Sequence, residues 1–435
     1  MTLLHAANDH HGRSGSRPKS AGLAASGSPT TTSHPGSIGH HALAVPDHVA
    51  RVMAECKSVT FEPFHISPYP PCHPLNPIVI CVLKDEIIRI PDFLRHYRCA
   101  GIERFVFIDN GSTDGTLDYL RQQPDVDVYC KSDHFHWVVK QGWINRVVQI
   151  YGHERWYIYA DADEQIVFQE IGRRTFVDVT REMERRGVRR VRGFLLDMYA
   201  AGPLVASRYD GHGPLLDAYP YFDLTGYRER KFTEIISVKG GPRVRVFGKV
   251  DRKFSPELTK YPLFRLNESE YMANPHHIWP FDHNFDSARY LAILHFKFLP
   301  DITRRIQKAV EQGNYWNGSF EYRCYARGIE AEPDLSLVDA ESKQFRSAED
   351  LLALGLIVPI GWAERLTRSA GMQVAFRRSR AALLASVPMR AAAGHPRIPP
   401  PLPGERTFGG GERIEIREDS FIGFLPEPGV SSQAS

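Results

Sequence analysis

Three things are scarce in this chain, and each scarcity removes a class of function. Net charge is the first: 54 Lys and Arg against 51 Asp and Glu leave a formal +3, so no long-range field recommends nucleic acid as a partner. Paired cysteine is the second. Cys56, Cys72, Cys81, Cys99, Cys130 and Cys324 show neither the C-x-x-C spacing of a zinc site nor the density of a secreted disulfide scaffold, which points to a reducing cytoplasm. Long apolar runs are the third: the longest, Leu351 to Ile360, contains Gly355 and Pro359 and is too short to cross a bilayer. The N-terminus also lacks the charged, apolar and small-residue series of a signal peptide. The expectation is a soluble, cytoplasmic protein. What remains is ordinary for a globular enzyme, with 42% hydrophobic and 24% charged residues among 435.

Residues 1–70 are rich in Ser, Gly, His and Pro without an apolar period, and are expected to form a mobile tail. Residues 396–435, with Pro399-Pro400-Pro401 and Gly409-Gly410-Gly411, read as a second loose tail. A globular domain is expected over 77–330 and a helical extension over 331–395. Trp362 to Leu384 mixes Leu, Val and Phe with Arg368, Arg377, Arg378 and Arg380. That pattern suits a packing helix or, less well, a peripheral contact with an anionic membrane surface. The basic run Arg181 to Arg192 reads as an exposed helix face.

The first half of the globular span alternates strand and helix. The runs 78–83, 104–108, 126–130 and 156–160 are apolar, as strands buried on both faces are. Between them lie helices opened by Pro91, capped by Ser112 or Asp114, and built on Trp143, Val147, Ile150 and Tyr151 before Gly152. Such alternation implies an α/β fold with a mainly parallel sheet flanked by helices, in which ligands bind beyond the carboxyl ends of the strands.

Polar clusters stand where that rule needs them. The first strand ends in Lys84-Asp85-Glu86, the second in Asp109-Asn110-Gly111-Ser112, the fourth in Asp161-Ala162-Asp163-Glu164. One acidic strand end is the ordinary chemistry of turns; three together indicate a shared ligand site. In an extended segment side chains two apart point the same way, so Asp161 and Asp163 can offer two carboxylates to one hard cation such as Mn²⁺ or Mg²⁺. Such an ion would neutralise a diphosphate leaving group.

These motifs, in this order, resemble the GT-A fold glycosyltransferases of the family 2 type, in particular the bacterial subgroup related to family 92. The resemblance spans about 77 to 330, with a nucleotide-binding half over 77–165 and an acceptor half over 166–330. It implies a nucleotide-sugar donor, a UDP-sugar first, and transfer to a saccharide, lipid or protein acceptor. It implies that Asp109 reads the base, that Lys84 to Glu86 and Asn110 line the nucleoside pocket, that Asp161 approaches the ribose or the metal's water shell, and that Asp163 binds the metal directly.

Further along, 291–298 reads as an apolar strand carrying His295 and Lys297 on one face. The resembling enzymes complete the metal shell with a late histidine, so His295 is a candidate ligand beside the alternative of a core residue, and Lys297 a candidate phosphate partner. Inverting transfer needs a carboxylate base. Asp223, and alternatively Asp197, stand in aromatic surroundings that would raise a carboxyl pKa. Gly240-Gly241-Pro242-Arg243 and Lys260 are similar to positions in the resembling subgroup, which implies phosphate or acceptor contacts, beside the alternative of a solvated surface role. Two rival readings are a nucleotide-sugar-binding module without turnover, and a metal-dependent nucleotidyltransferase or phosphohydrolase.

Overall fold

A helix α1 (Asp47–Ser58) and a short strand β1 (Glu62–His65) precede the expected alternation. The alternation follows as β2 (Ile78–Leu83), α2 (Ile90–Cys99), β3 (Phe105–Asp109), α3 (Thr116–Arg121), β4 (Val126–Cys130), α4 (Trp137–Tyr151) and β5 (Trp156–Tyr159). The second half contains β6 (Glu164–Phe168), α5 (Phe176–Arg185), β7 (Arg190–Asp197), α6 (Leu215–Ala218), β8 (Tyr221–Asp223), β9 (Tyr227–Lys231), β10 (Ile236–Lys239) and α7 (Gly241–Phe247). It continues with β11 (Thr259–Arg265), β12 (Tyr271–Asn274), β13 (His277–Trp279), β14 (Arg289–His295), α8 (Ile302–Gln312), α9 (Trp316–Ala331), β15 (Ser342–Gln344), α10 (Ala348–Ala353) and β16 (Glu405–Phe408). This computed structural model describes residues 44–70, 72–132, 135–313, 315–362 and 405–408. The expected tail over 1–43, the Arg-rich pattern beyond Trp362 and residues 409–435 lie outside the described residues.

Nine strands form one sheet in the order β1-β4-β3-β2-β5-β11-β7-β14-β6. β4, β3, β2 and β5 are mutually parallel. β11 runs antiparallel to both β5 and β7, so β7 shares the direction of β5, and β14 is parallel to β7. β1 and β6 close the edges antiparallel. The sheet is therefore mainly parallel, with a reversed strand at its centre.

Both faces are covered, which explains the unbroken apolar strands. Alternate residues serve opposite cores: Val79, Cys81 and Leu83 pack with Phe93 of α2 and Val179 of α5, whereas Ile78, Ile80 and Val82 pack with Trp143 and Val147 of α4.

Several boundaries need correction. The tail expected over 1–70 is structured from Asp47 on: Val49, Val52 and Cys56, at helical spacing, are fully buried, and β1 pairs with β4. The helical extension expected over 331–395 is, in its described part, β15, the short α10 and a loop; Leu351, Leu354, Ile357 and Ile360 join the core of β2 and α2. Within the tail expected over 396–435, β16 pairs antiparallel with β9. Of the basic run 181–192, Arg190 and Arg192 are buried in β7 and paired with Glu270 and Glu229. No helix among the described residues is long and apolar enough to cross a membrane.

Candidate functional site

Strand register brings the polar clusters to one rim, because Leu83 of β2 stands beside Asp109 of β3. The loops after these strands are stitched together. Ser112 Oγ accepts from the Asp85 amide at 2.8 Å and Asp114 Oδ2 from the Ile87 amide at 3.0 Å. Of the two cap candidates, Asp114 also accepts through Oδ1 from the amide of Thr116, the first residue of α3, at 3.0 Å, although Gly115, at φ 93°, occupies the cap position itself. Asp109 Oδ2 accepts from the Gly111 and Ser112 amides, both at 2.9 Å, while its buried Oδ1 has no partner among the described residues. The carboxylate thus braces the loop from behind, and Asn110 and Gly111 form the surface in front of it.

That surface belongs to a cavity of about 750 Å³ at the carboxyl ends of β2 and β5. Lys84, Asp85 and Glu86 line one side, with Asp161, Asp163, His295 and Lys297 at the floor. Helix α8 lines the cavity through Arg304, Arg305 and Lys308, the last 3.3 Å from Asp85, and Phe135, Tyr315 and Tyr322 make an aromatic corner. Tyr315 and Tyr322 have ring centroids 4.9 Å apart, and Lys297 Nζ donates to Tyr322 Oη at 3.1 Å. A buried network ties the two sides: Arg89 donates to Glu86 at 3.1 Å and grips Asp301 through both terminal nitrogens, and Arg305 donates to Glu86 and Asp301.

Asp161 and Asp163 occupy a turn between β5 and β6, closed by the Glu164 amide donating to Asp161 O at 2.9 Å. The extended geometry expected for the pair is replaced because the chain must reverse there into β6. The two carboxylates consequently differ. Asp161 Oδ1 accepts from Lys140 Nζ at 2.6 Å and Tyr159 Oη at 2.9 Å, and Oδ2 lies 3.4 Å from Lys260 Nζ. Burial pushes its pKa up, but the two lysines outweigh burial and hold it well below the ordinary value. Burial also pushes the Asp163 pKa up, but His295, Lys297 and, less strongly, Arg89 overcome it and lower it.

His295 closes the floor because its strand is paired on both sides: it stands opposite Asp197 of β7 and Glu164 of β6. Its Nδ1 is 2.6 Å from Asp197 Oδ1, and its Nε2 is 3.6 Å from Asp163 Oδ2. Asp163, Glu164 and His295 form a group whose candidate ligand atoms lie within 4.8 Å of one another. Asp161, expected as a ligand, is not in that group; its oxygens are held by lysines and a tyrosine. Glu164 is buried behind the cavity and paired with Lys260.

The base candidates do not face the cavity. Asp223 is buried, with Arg245 on both oxygens at 2.8 and 2.9 Å and Tyr199 Oη at 2.6 Å. Burial outweighs Arg245 and Tyr199 and raises the Asp223 carboxyl above its ordinary value, as its surroundings predict, yet the group is paired with Arg245 and is not among the residues that line the cavity. Asp197 is buried between His295 and Arg243, whose Nε donates to Oδ2 at 2.8 Å. Arg243 and Lys260, expected as phosphate or acceptor contacts, are committed instead to Asp197 and Glu164 inside the fold. Sequence reading missed Lys140 and the basic wall of α8. Its signal was there: Arg304 and Lys308 are one turn apart, on a helix that buries Ile302, Ile306 and Ala309.

No family model and no curated protein matches the chain. Among solved structures, S. aureus TarS is similar over 28% of this chain and 21% of its own, at 18% identity and TM-score 0.21. Its piece 1–349 is similar over 28% and 35%, at 17% identity and TM-score 0.21. A UDP-glucose pyrophosphorylase complexed with UDP-glucose is similar over 62% and 90%, at 8% identity and TM-score 0.23. The chain thus spans well under half of the first two. With TM-scores this far below 0.5, none of these likenesses bears on fold or activity.

Proposed function

We propose that the chain is a metal-dependent glycosyltransferase of the GT-A type, which takes a nucleotide-sugar, a UDP-sugar first, and passes its sugar to an acceptor. The observation that carries this reading is one cavity lined by Asp163 and His295, side by side, together with the cations Lys297 and Arg304. A nucleoside diphosphate needs such a division between a hard cation and fixed positive charge.

The donor set fits a divalent ion. Asp163 supplies an oxygen and His295 a nitrogen, a mixture that suits Mn²⁺ better than Mg²⁺, which prefers oxygen alone. When bound, the ion would stabilise the charge that develops on the leaving diphosphate. The chain's own residues do the rest. Lys297 and Arg304 stand ready for phosphate oxygens, Phe135 and Tyr315 offer apolar faces to a ring, and Lys84 to Glu86 with Asn110 form the nucleoside rim.

The test is release of UDP from a panel of UDP-sugars with and without Mn²⁺, repeated with Asp163→Ala. Metal-dependent release that falls at least about a hundredfold in the variant is expected, the scale of losing a group that acts in the transition state. Tight UDP binding without turnover would instead favour a binding module, and absence of nucleotide binding would end the proposal.

A further inference from the structure

The partners of His295 divide its two ring nitrogens between different tasks. Nδ1 meets Asp197 Oδ1 at 2.6 Å, and the other oxygen of Asp197 receives Arg243 Nε at 2.8 Å. Arg243 is itself held by Glu321, its NH1 donating at 2.9 Å. Asp197 is 1% exposed and Arg243 3%, so water does not supply alternatives. An ionised carboxylate only accepts hydrogen bonds, and Asp197 is the acid of a buried ion pair, with Arg243 Nε 2.8 Å from Oδ2. The hydrogen in the Nδ1 contact therefore belongs to the imidazole, and Nε2 is the nitrogen turned toward Asp163 and the cavity.

We infer that Asp197 is a positioning residue that sets the tautomer of His295 and so reserves Nε2 as a ligand atom, an inference that rests on the metal reading above. Carboxylates behind metal-bound histidines have this role generally, and removing one weakens metal binding about 10- to 100-fold. Here the neighbour makes the consequence of one substitution specific. In Asp197→Asn the side chain keeps its shape but has one acceptor and one donor. Arg243 offers only donors, so the amide oxygen must turn to Arg243 and the amide NH₂ to His295. Nδ1 then has to accept, and the ring hydrogen moves to Nε2, in the place a metal would need.

Mn²⁺ binding by the full chain, read from the electron paramagnetic resonance signal of free Mn²⁺, tests this without reference to turnover. The wild-type protein is expected to bind, Asp163→Ala to lose binding, Asp197→Asn to bind at least about tenfold more weakly, and Glu321→Gln, which touches Arg243 but not His295, to stay within about threefold. Binding by Asp197→Asn within threefold of wild type, while Asp163→Ala loses it, overturns the role of Asp197 alone. Wild-type-like binding by Asp163→Ala overturns the metal reading beneath it. Should Asp197→Asn fail to fold, nitrogen-15 shifts of His295 in the metal-free wild type decide: a protonated Nδ1 is expected, and an Nδ1 without hydrogen refutes the inference.

Discussion

Asp301 is where α8 is fastened to the nucleotide side of the cavity, and replacing it with Asn measures that fastening. Its oxygens accept from Arg89 at 2.9 and 2.7 Å and from Arg305 Nε at 2.8 Å. The Arg89 side chain has no exposure and that of Asp301 10%. Asn keeps the shape and one acceptor but removes the charge, which leaves a guanidinium sealed in the core with Glu86 as its remaining carboxylate. Breaking a buried pair costs about 3–5 kcal/mol. Because Glu86 still neutralises Arg89, the lower end, about 3 kcal/mol, is expected. With a urea slope of about 3 kcal/mol/M, that moves the unfolding midpoint by about 1 M at pH 7. The pH dependence has a definite sign. Burial raises the Asp301 pKa, but the two arginines outweigh it and hold the folded group below its ordinary 3.8. A carboxyl depressed in the folded state contributes stability above its unfolded pKa and loses it as pH falls through the folded one. The gap between wild type and variant should therefore stay constant from about pH 7 to 5 and narrow only below about pH 4. A gap under about 1 kcal/mol at pH 7, the size of an exposed pair, would refute the reasoning, as would a gap that closes above pH 5.

Two further substitutions probe the corrected parts of the fold. Gly142→Ala places a Cβ 2.8 Å from Glu55 Cβ and 3.2 Å from the Cys56 amide. It should cost about 1–3 kcal/mol and speed proteolysis between residues 44 and 65; unchanged cleavage would show that α1 does not rest on α4. Asp223→Asn should lower denaturant stability by about 1–3 kcal/mol while UDP release per folded molecule stays within about twofold. A loss of the order of 10²–10⁴, the contribution of a general base, would restore Asp223 to the chemistry.

The four strands from β2 to β5 were legible because strands covered on both faces must be apolar throughout, and the glycines and prolines between them punctuate cleanly. α1 was not, although Val49, Val52 and Cys56 carry its period: a short, half-polar segment after a Ser-, Gly- and His-rich stretch gives no sign of burial until α4 and the hairpin of β12 and β13 are there to cover it. The rim of the site was legible in its chain positions and illegible in its partners. Nothing in the run Tyr219 to Asp223 says that Arg245 will occupy the carboxylate, since that contact is set by β8 meeting α7. The resemblance separated Asp163 from Asp161, but the order of residues does not say that Lys140, Tyr159 and Lys260 are what hold Asp161.

That last distinction follows from the reversed strand at the centre of the sheet. β11 carries Lys260 inward between β5 and β7, where its ammonium meets Asp161 and Glu164 and lies 5.3 Å from the centroid of the Tyr159 ring. Lys140 approaches Asp161 from α4 on the cavity side. One acid of the pair is thus neutralised by the fold itself, so that two carboxylates in one turn do not repel each other apart. The other keeps its charge facing the cavity, beside an imidazole whose far nitrogen is anchored. Without Lys140 and Lys260 the acids of this turn would repel one another. With both lysines in place the turn can hold its shape and keep Asp163 ionised, which is the preorganisation that the proposed site for a diphosphate and a divalent ion would need.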